Sequence, residues 1–141
     1  MIKIKTIINE ALNNRNIFII APDGKLYNDI NYHGEIVFKF KSLEDAALKL
    51  FKTKSNILSA AKGGNTKLID LILDADFIIG GIFSQSKRQL YVTWSTPTKS
   101  AILGLIKKLS EYKPTEIYFE DHKHPNRDGM YDTSDFIDNF I

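Results

Sequence analysis

The apolar residues of this chain recur at two different spacings, and the spacing changes several times along the sequence. Intervals of three or four residues are typical of one face of a helix. They predict short helices at residues 4–12, 43–51, 56–62, 97–112 and 134–140, and one that starts at Asn65 or Thr66 and ends at Ala75. Pro97 suits the first helical position, where the missing N–H group costs nothing. The sequence therefore predicts five or six short helices.

Short runs of β-branched and aromatic residues lie between these helices and predict strands. The runs are residues 17–21, 36–40, 77–83, 89–94 and 117–119. In the fourth run, Leu90, Val92 and Trp94 occupy alternate positions, so we expect them to share one face of a sheet. Residues 84–87 suit a hairpin loop, which favours an antiparallel or mixed sheet.

No internal repeat or low-complexity linker divides the 141 residues. A chain of this length, with 43% hydrophobic and 26% charged residues, is typical of one globular domain. We predict a single α+β domain over residues 1–141, with about five strands, and a polar loop over residues 121–133. The chain contains no cysteine, which excludes disulfides, thiol catalysis and cysteine-based zinc sites.

The sequence predicts a cytoplasmic protein with no membrane partner. The N-terminal segment MIKIKTIINEAL lacks the long apolar region of a signal peptide. The longest apolar run is about five residues, against the roughly 20 that span a bilayer. The chain has 16 lysines but only 3 arginines, and isoleucine and asparagine are abundant. This bias is typical of the AT-rich genomes of many low-GC bacteria and their phages.

The formal net charge of +2 conceals an uneven distribution along the chain. Residues 41–67 carry a net charge of +4 and residues 85–113 a net charge of +5, whereas residues 114–141 carry −5. If the two basic segments share a face, we expect an anionic partner. The alternative is that segments of opposite charge form separate solvated faces or pair with each other.

The sequence predicts a strand and two helices over residues 34–64, with polar residues 52–54 joining the helices. Gly63 and Gly64 end the second helix. Two amphipathic helices joined by about three residues fit a helix-turn-helix-like unit at 43–62.

The second helix of this pair is predicted to present polar side chains to a nucleic acid. Amides, hydroxyls and ammonium groups can contact base edges. Lysines also contact phosphates and so add affinity that does not depend on the base sequence. The predicted nucleic-acid-binding residues are Lys52, Lys54, Ser55, Asn56, Ser59, Lys62, Lys67, Lys87 and Arg88. The glycine-rich stretch 62–67 also suits a backbone cradle for a phosphate or nucleotide.

The same stretch resembles the small helix-turn-helix repeats attached to phage and intron homing endonucleases. In that family a strand ending in Phe precedes Ser, an acidic residue and paired alanines, and then Ser or Thr, Ile and a terminal Gly. The matching residues are Phe40, Ser42, Asp45, Ala46, Ala47, Leu50, Ser55, Ile57 and Gly63. The resemblance covers residues 34–64 and implies DNA binding by the second helix. No nuclease motif accompanies it.

Acidic and histidine residues are concentrated near the C-terminus. They are Glu120, Asp121, His122, His124, Asp128 and Asp132. In a strand His122 and His124 share a face, and with Asp128 they form a candidate ligand set for zinc, iron or manganese. The two histidines also suit general acid and base catalysis without metal. The alternative is a solvated acidic loop, and we predict no cofactor other than this divalent ion.

Three functions remain open on the sequence. The leading prediction is a small nucleic-acid-binding protein of phage or mobile-element origin, with DNA or another polyanion as its partner. The second is a phage-type inhibitor or sequestering protein that binds a host protein or a small nucleotide. The third is a metal-dependent phosphodiesterase that uses residues 120–132. The absence of a complete catalytic motif favours a binding protein over an enzyme, and a homo-oligomer is left open.

Overall fold

The computed structural model describes residues 17–28, 54–84 and 88–141. Its strands are β1 (Ile17–Ile20), β2 (Leu26–Asn28), β3 (Ile78–Ser84), β4 (Gln89–Trp94), β5 (Glu116–Asp121) and β6 (Gly129–Asp132). They form one six-stranded sheet in the order β2-β1-β3-β4-β5-β6. β4 and β5 run parallel, and the other neighbouring pairs are antiparallel. The α+β class and the mixed sheet are therefore confirmed.

The described residues contain four α-helices and one turn of 3-10 helix. They are α1 (Lys54–Lys62), α2 (Asn65–Asp74), α3 (Lys99–Tyr112), the 3-10 turn Pro125–Arg127 and α4 (Thr133–Phe140). α3 is the crossover that the parallel pair of β4 and β5 requires. None of these helices is long and apolar enough to cross a membrane.

Three of the predicted elements lie outside the described residues. They are the helices at 4–12 and 43–51 and the strand at 36–40. α1 is the second helix of the predicted helix-turn-helix-like pair, so the pair as a whole stays a prediction.

Side chains alternate between the two faces of the sheet and bury both of them. One face, which we call face A, packs against α3 and α4. Its strand residues are Phe18, Ile20, Ile78, Leu90, Val92, Trp94, Ile117 and Phe119. The opposite face, face B, carries the fully buried Ile19, Ile79 and Tyr91. α2 lies on face B, because its residue Asp70 contacts His122 beyond the end of β5.

The segment between β5 and α4 differs from the sequence prediction of a polar loop. It contains the 3-10 turn and β6, a short edge strand that pairs with β5. α4 begins at Thr133, and the carboxylate of Asp132 accepts a hydrogen bond from the N–H of Asp135 at 2.8 Å. Pairing of β6 with β5 keeps the chain extended as far as Asp132, so the helix begins directly after that residue.

The carboxyl ends of β4 and β5 lie side by side because the two strands are parallel. Thr93 pairs in register with Glu120, and Trp94 pairs with Asp121. The N–H of His122 donates to the carbonyl of Trp94 at 3.0 Å, which continues the pairing one residue beyond β5. Polar residues at the ends of both strands therefore meet at one edge of the sheet, where α/β sheets commonly bind ligands.

Candidate functional site

α1 has one buried side and one exposed side. Ile57 is fully buried against the protein. Ser55, Leu58, Ser59 and Lys62 are exposed, and their spacing of three and four residues places them on one side of the helix. The exposure of Ser59 and Lys62 agrees with the sequence prediction.

The turn between α1 and α2 carries an exposed lysine on each side, Lys62 and Lys67. A Cβ atom on Gly63 would lie 2.4 Å from Cγ of Lys67, so the Lys67 side chain passes over Gly63, the residue after Lys62. Gly64 has a φ of 85°, which favours glycine. Both lysines are exposed. Neither ammonium group forms an ion pair with any carboxylate in the described part of the chain.

The other predicted nucleic-acid-binding residues are described in part. Arg88 is exposed and has a φ of 53° just before β4. Lys54 and Asn56 lie in α1, but only their backbone is described. Lys52 and Lys87 lie outside the described residues. Apart from Arg88, the described part of the predicted surface therefore consists of α1 and the turn that follows it.

β5 divides the acidic and histidine residues of the C-terminal segment between the two faces of the sheet. Asp121 lies on face A and is 1% exposed. Glu120 and His122 lie on face B, because successive residues of an extended chain point to opposite faces. Asp132 caps α4. The segment that the sequence presents as one cluster therefore forms separate polar sites.

The Asp121 carboxylate is the centre of a hydrogen-bond network between β5 and β6. Its Oδ1 accepts from the N–H groups of Lys123 at 3.0 Å and His124 at 3.1 Å. Its Oδ2 accepts from Nη2 of Arg127 at 2.7 Å and from Nε1 of Trp94 at 3.3 Å. Burial by itself would raise the pKa of Asp121, but these donors outweigh burial and hold the pKa below its ordinary value. Asp121 is therefore a structural anion.

Asp128 and His124 belong to the same network. Oδ1 of Asp128 accepts a hydrogen bond from the N–H of Asp121 at 2.7 Å. Burial raises the pKa of Asp128, and the negative charges of Glu120 and Asp121 act in the same direction. The His124 side chain is 63% exposed, and its Nδ1 lies 3.6 Å from Oδ2 of Asp121.

His122 lies between two carboxylates on face B. Its Nε2 is 3.1 Å from Oε1 of Glu120, but this contact lacks the geometry of a hydrogen bond. Its Nδ1 is 3.7 Å from Oδ1 of Asp70. The carboxylates flank opposite nitrogens of the ring, so the three side chains do not converge on one point.

The metal site therefore stays a prediction. Among the residues that the structure describes, no group of three or more acidic and histidine side chains is placed to hold a metal ion. Of the three predicted ligands, His122 contacts Glu120 and Asp70, whereas His124 lies next to Asp121.

Two buried hydroxyl groups lie at the carboxyl end of β4. Thr93 is fully buried and is the register partner of Glu120. Ser95 is 5% exposed and directly follows the last residue of β4. Alternation within β4 places the Thr93 side chain on face B. Neither hydroxyl has a hydrogen-bond partner among the described residues.

Sequence reasoning did not find Asp70, Thr93 or Ser95 as site residues. The signal that points to two of them is a pair of hydroxyl side chains at the carboxyl end of a strand that leads into a helix, since this is where parallel strands place ligand sites. Asp70 gives no such local signal.

No family model, curated protein or solved structure matches this chain.

Proposed function

We propose that this protein binds a nucleic acid through the exposed side of α1 and the two lysines at the α1–α2 turn. The observation that carries this proposal is the charge of the surface. Residues 54–69 contain three lysines and no acidic residue. Lys67 passes over Gly63, the residue after Lys62, and both lysines are exposed.

The groups on this surface complement a phosphate backbone. Exposed ammonium groups release condensed counterions when they neutralise phosphates, which favours binding at low salt. The hydroxyls of Ser55 and Ser59 can donate to phosphate oxygens or to base edges. Leu58, which is 52% exposed between them, offers an apolar contact to a base or a thymine methyl group.

The start of α2 adds to the same surface. Gly64 occupies the N-cap position and provides no side-chain hydrogen bond to the first N–H groups of the helix. Such N–H groups favour anions, because the helix dipole places partial positive charge there. Lys67 lies in this first turn, so ammonium and backbone donors are available to the same phosphate.

Charge reversal at the α1–α2 turn tests this proposal. The test variant is Lys62→Glu with Lys67→Glu. The matched control, Lys99→Glu with Lys107→Glu, reverses two exposed charges on α3, which packs on face A. Fluorescence anisotropy with short labelled duplex DNA, single-stranded DNA and RNA, over a salt series, gives the affinity and its salt dependence.

We expect the turn variant to weaken binding by roughly tenfold or more and to lower the slope of log affinity against log salt by about two. The control variant should keep the wild-type slope. An absence of salt-dependent binding at low ionic strength would contradict the proposal. An equal loss in the turn and control variants would also contradict it, because the effect would then come from net charge.

The two alternatives from the sequence stay predictions. A phosphodiesterase that uses residues 120–132 requires a group of ligands that the described residues do not bring together. Binding of a host protein or nucleotide has no specific contact to support it in the described part of the chain.

A further inference from the structure

We propose that the apolar groove between α3 and α4 binds a second copy of this chain, with α3 of each copy packed on α4 of the other. One side of both helices is buried in the core of face A, and the groove lies between them on the side that faces solvent. The proposal uses no residue of α1 or of the α1–α2 turn, so it does not depend on nucleic-acid binding.

The groove is apolar and open to solvent. Its volume is about 360 Å³, and its apolar lining residues are Ile106, Leu109, Pro114, Ile137 and Ile141. Ile106, Ile137 and Ile141 are 36%, 41% and 39% exposed. Leu103, which is 65% exposed, lies three residues before Ile106 on the same side of α3 and extends this surface. Four of the six large hydrophobic side chains that the described residues expose are therefore concentrated here.

An exposed apolar surface of this kind favours a protein partner over a small molecule. Large contiguous apolar patches on soluble proteins mark interaction sites. A pocket for a small molecule usually encloses most of the ligand surface, whereas the three isoleucines of this groove are each at least 36% exposed. A second protein surface would remove these isoleucines and Leu103 from water together, and burial of apolar surface is the main driving force of association.

The two walls of the groove differ in charge. On the α3 side, Lys113 is the only charged side chain among the described residues that line the groove. The one acidic residue of α3, Glu111, pairs with Lys108 at 3.5 Å. On the other side, Asp135 and Asp138 are exposed and α4 has no basic residue. Lys113 and Asp138 form no ion pair with any described residue, so both are available to a partner.

These charges distinguish between two ways of pairing the helices in a dimer. In a two-fold dimer both copies use the same surface, so every contact between two different residues occurs twice. If α3 faced α3 and α4 faced α4, lysines would meet lysines and aspartates would meet aspartates. If α3 of each copy faces α4 of the other, Lys113 and Asp138 form two attractive contacts beside the apolar side chains. Charge complementarity therefore favours a second copy in this α3-to-α4 arrangement.

Sedimentation equilibrium of the full chain over a concentration series gives the dimer Kd. The test variants are Ile137→Gln, which replaces an apolar side chain of the groove, and the charge reversals Lys113→Glu and Asp138→Lys. Charges are reversed because an exposed ion pair contributes little when it is only removed. The matched controls are Met130→Gln and Asp74→Lys, which change an exposed apolar side chain on β6 and an exposed carboxylate on α2.

We expect the wild-type chain to dimerise and each test variant to raise the dimer Kd by roughly tenfold or more. An equimolar mixture of Lys113→Glu and Asp138→Lys should form a heterodimer with nearly the wild-type Kd, because both of its α3-to-α4 contacts again join opposite charges. The two controls should keep the wild-type Kd. The Lys62→Glu and Lys67→Glu variant should keep it too, so failure of the nucleic-acid proposal is distinguishable from failure of this one.

The proposal is overturned if the wild-type chain stays monomeric throughout the series or if Ile137→Gln keeps the wild-type Kd. It is also overturned if neither charge reversal raises the Kd, or if the mixture of the two reversals does not recover it. A monomer that retains an apolar molecule in native mass spectrometry would assign the groove to a small ligand instead. Circular dichroism establishes that each variant is folded, and all three test substitutions lie at exposed positions.

Discussion

Asp121→Asn removes the negative charge at the centre of the network between β5 and β6 and keeps the size of the side chain. The wild-type carboxylate accepts four hydrogen bonds, two from backbone N–H groups and two from the side chains of Arg127 and Trp94. An asparagine has one acceptor oxygen, and its NH₂ group would face donors. Asp121→Ala removes all four acceptor contacts.

These contacts also determine how far the free energy of unfolding is expected to fall. A hydrogen bond to a charged group contributes about 1.5–3 kcal/mol. The contribution of Arg127 is at the low end, because its side chain is 39% exposed and partly screened by water. Bonds within one network are not additive. We therefore expect the free energy of unfolding to fall by about 3 kcal/mol in Asp121→Asn and by about 4 kcal/mol in Asp121→Ala.

Urea unfolding followed by tryptophan fluorescence measures this change. Trp94 is the only tryptophan of the chain and is 2% exposed. Its ring lies 4.7 Å from the ring of Phe119, centroid to centroid, so its emission reports the packing of face A. Asp138→Asn, which neutralises an exposed carboxylate on α4, is the control and should change the free energy of unfolding by less than about 0.5 kcal/mol.

The pH dependence of the free energy of unfolding provides a second test, and its direction follows from the pKa of Asp121. Burial raises the pKa of Asp121, but its four donors outweigh burial, so the pKa in the folded protein lies below the ordinary 3.8. The unfolded chain therefore takes up this proton at higher pH than the folded protein does. The stabilisation by Asp121 is complete well above pH 3.8 and is lost as the pH falls through the folded pKa.

Wild-type protein should accordingly lose more stability on acidification than Asp121→Asn does. An unfolding free energy of Asp121→Asn at neutral pH within about 0.5 kcal/mol of wild type would refute the reasoning. It would mean that the network positions the loop without stabilising the fold.

Two further substitutions test the packing of face A by urea unfolding. Burial lowers the pKa of Lys108, although Glu111 opposes this, so wild-type stability should rise with pH between that lowered pKa and 10.5. Lys108→Met should abolish this rise and change the free energy of unfolding at neutral pH by less than about 1.5 kcal/mol. If the variant keeps the wild-type pH dependence, Lys108 is not the group that causes the rise. Gly80→Ala places a Cβ atom 2.3 Å from Cζ of Phe18 and should cost about 1–3 kcal/mol, whereas wild-type stability would contradict this contact.

Much of the regular structure could be predicted because it depends on local spacing. The alternation in residues 89–94 predicted that Leu90, Val92 and Trp94 share a face, and all three lie in the core of face A. The spacing in residues 56–62 likewise predicted that Ile57 is buried and that the opposite side of α1 is exposed. In both cases the spacing of residues along the strand or helix, together with the burial of one side, is sufficient to predict which side chains are buried.

The boundaries of elements depended on distant contacts and were less predictable. The helix expected at Pro97 begins at Lys99, because Thr98 caps it by accepting from the N–H of Ala101. The Thr98 hydroxyl also donates to the carbonyl of Pro22, from the turn after β1. Such a contact fixes the start of a helix but leaves no signal in the neighbouring residues.

The sequence by itself determined which side chains face the core, since helical and strand periodicity are properties of consecutive residues. The tertiary structure alone decided which polar groups meet. It separated Asp121 from Glu120 and His122, because β5 is extended there and its neighbours point to opposite faces. It brought Asp70 to His122, because α2 packs on face B at the end of β5. Contacts of this kind depend on how whole elements pack, which the order of residues within one element does not encode.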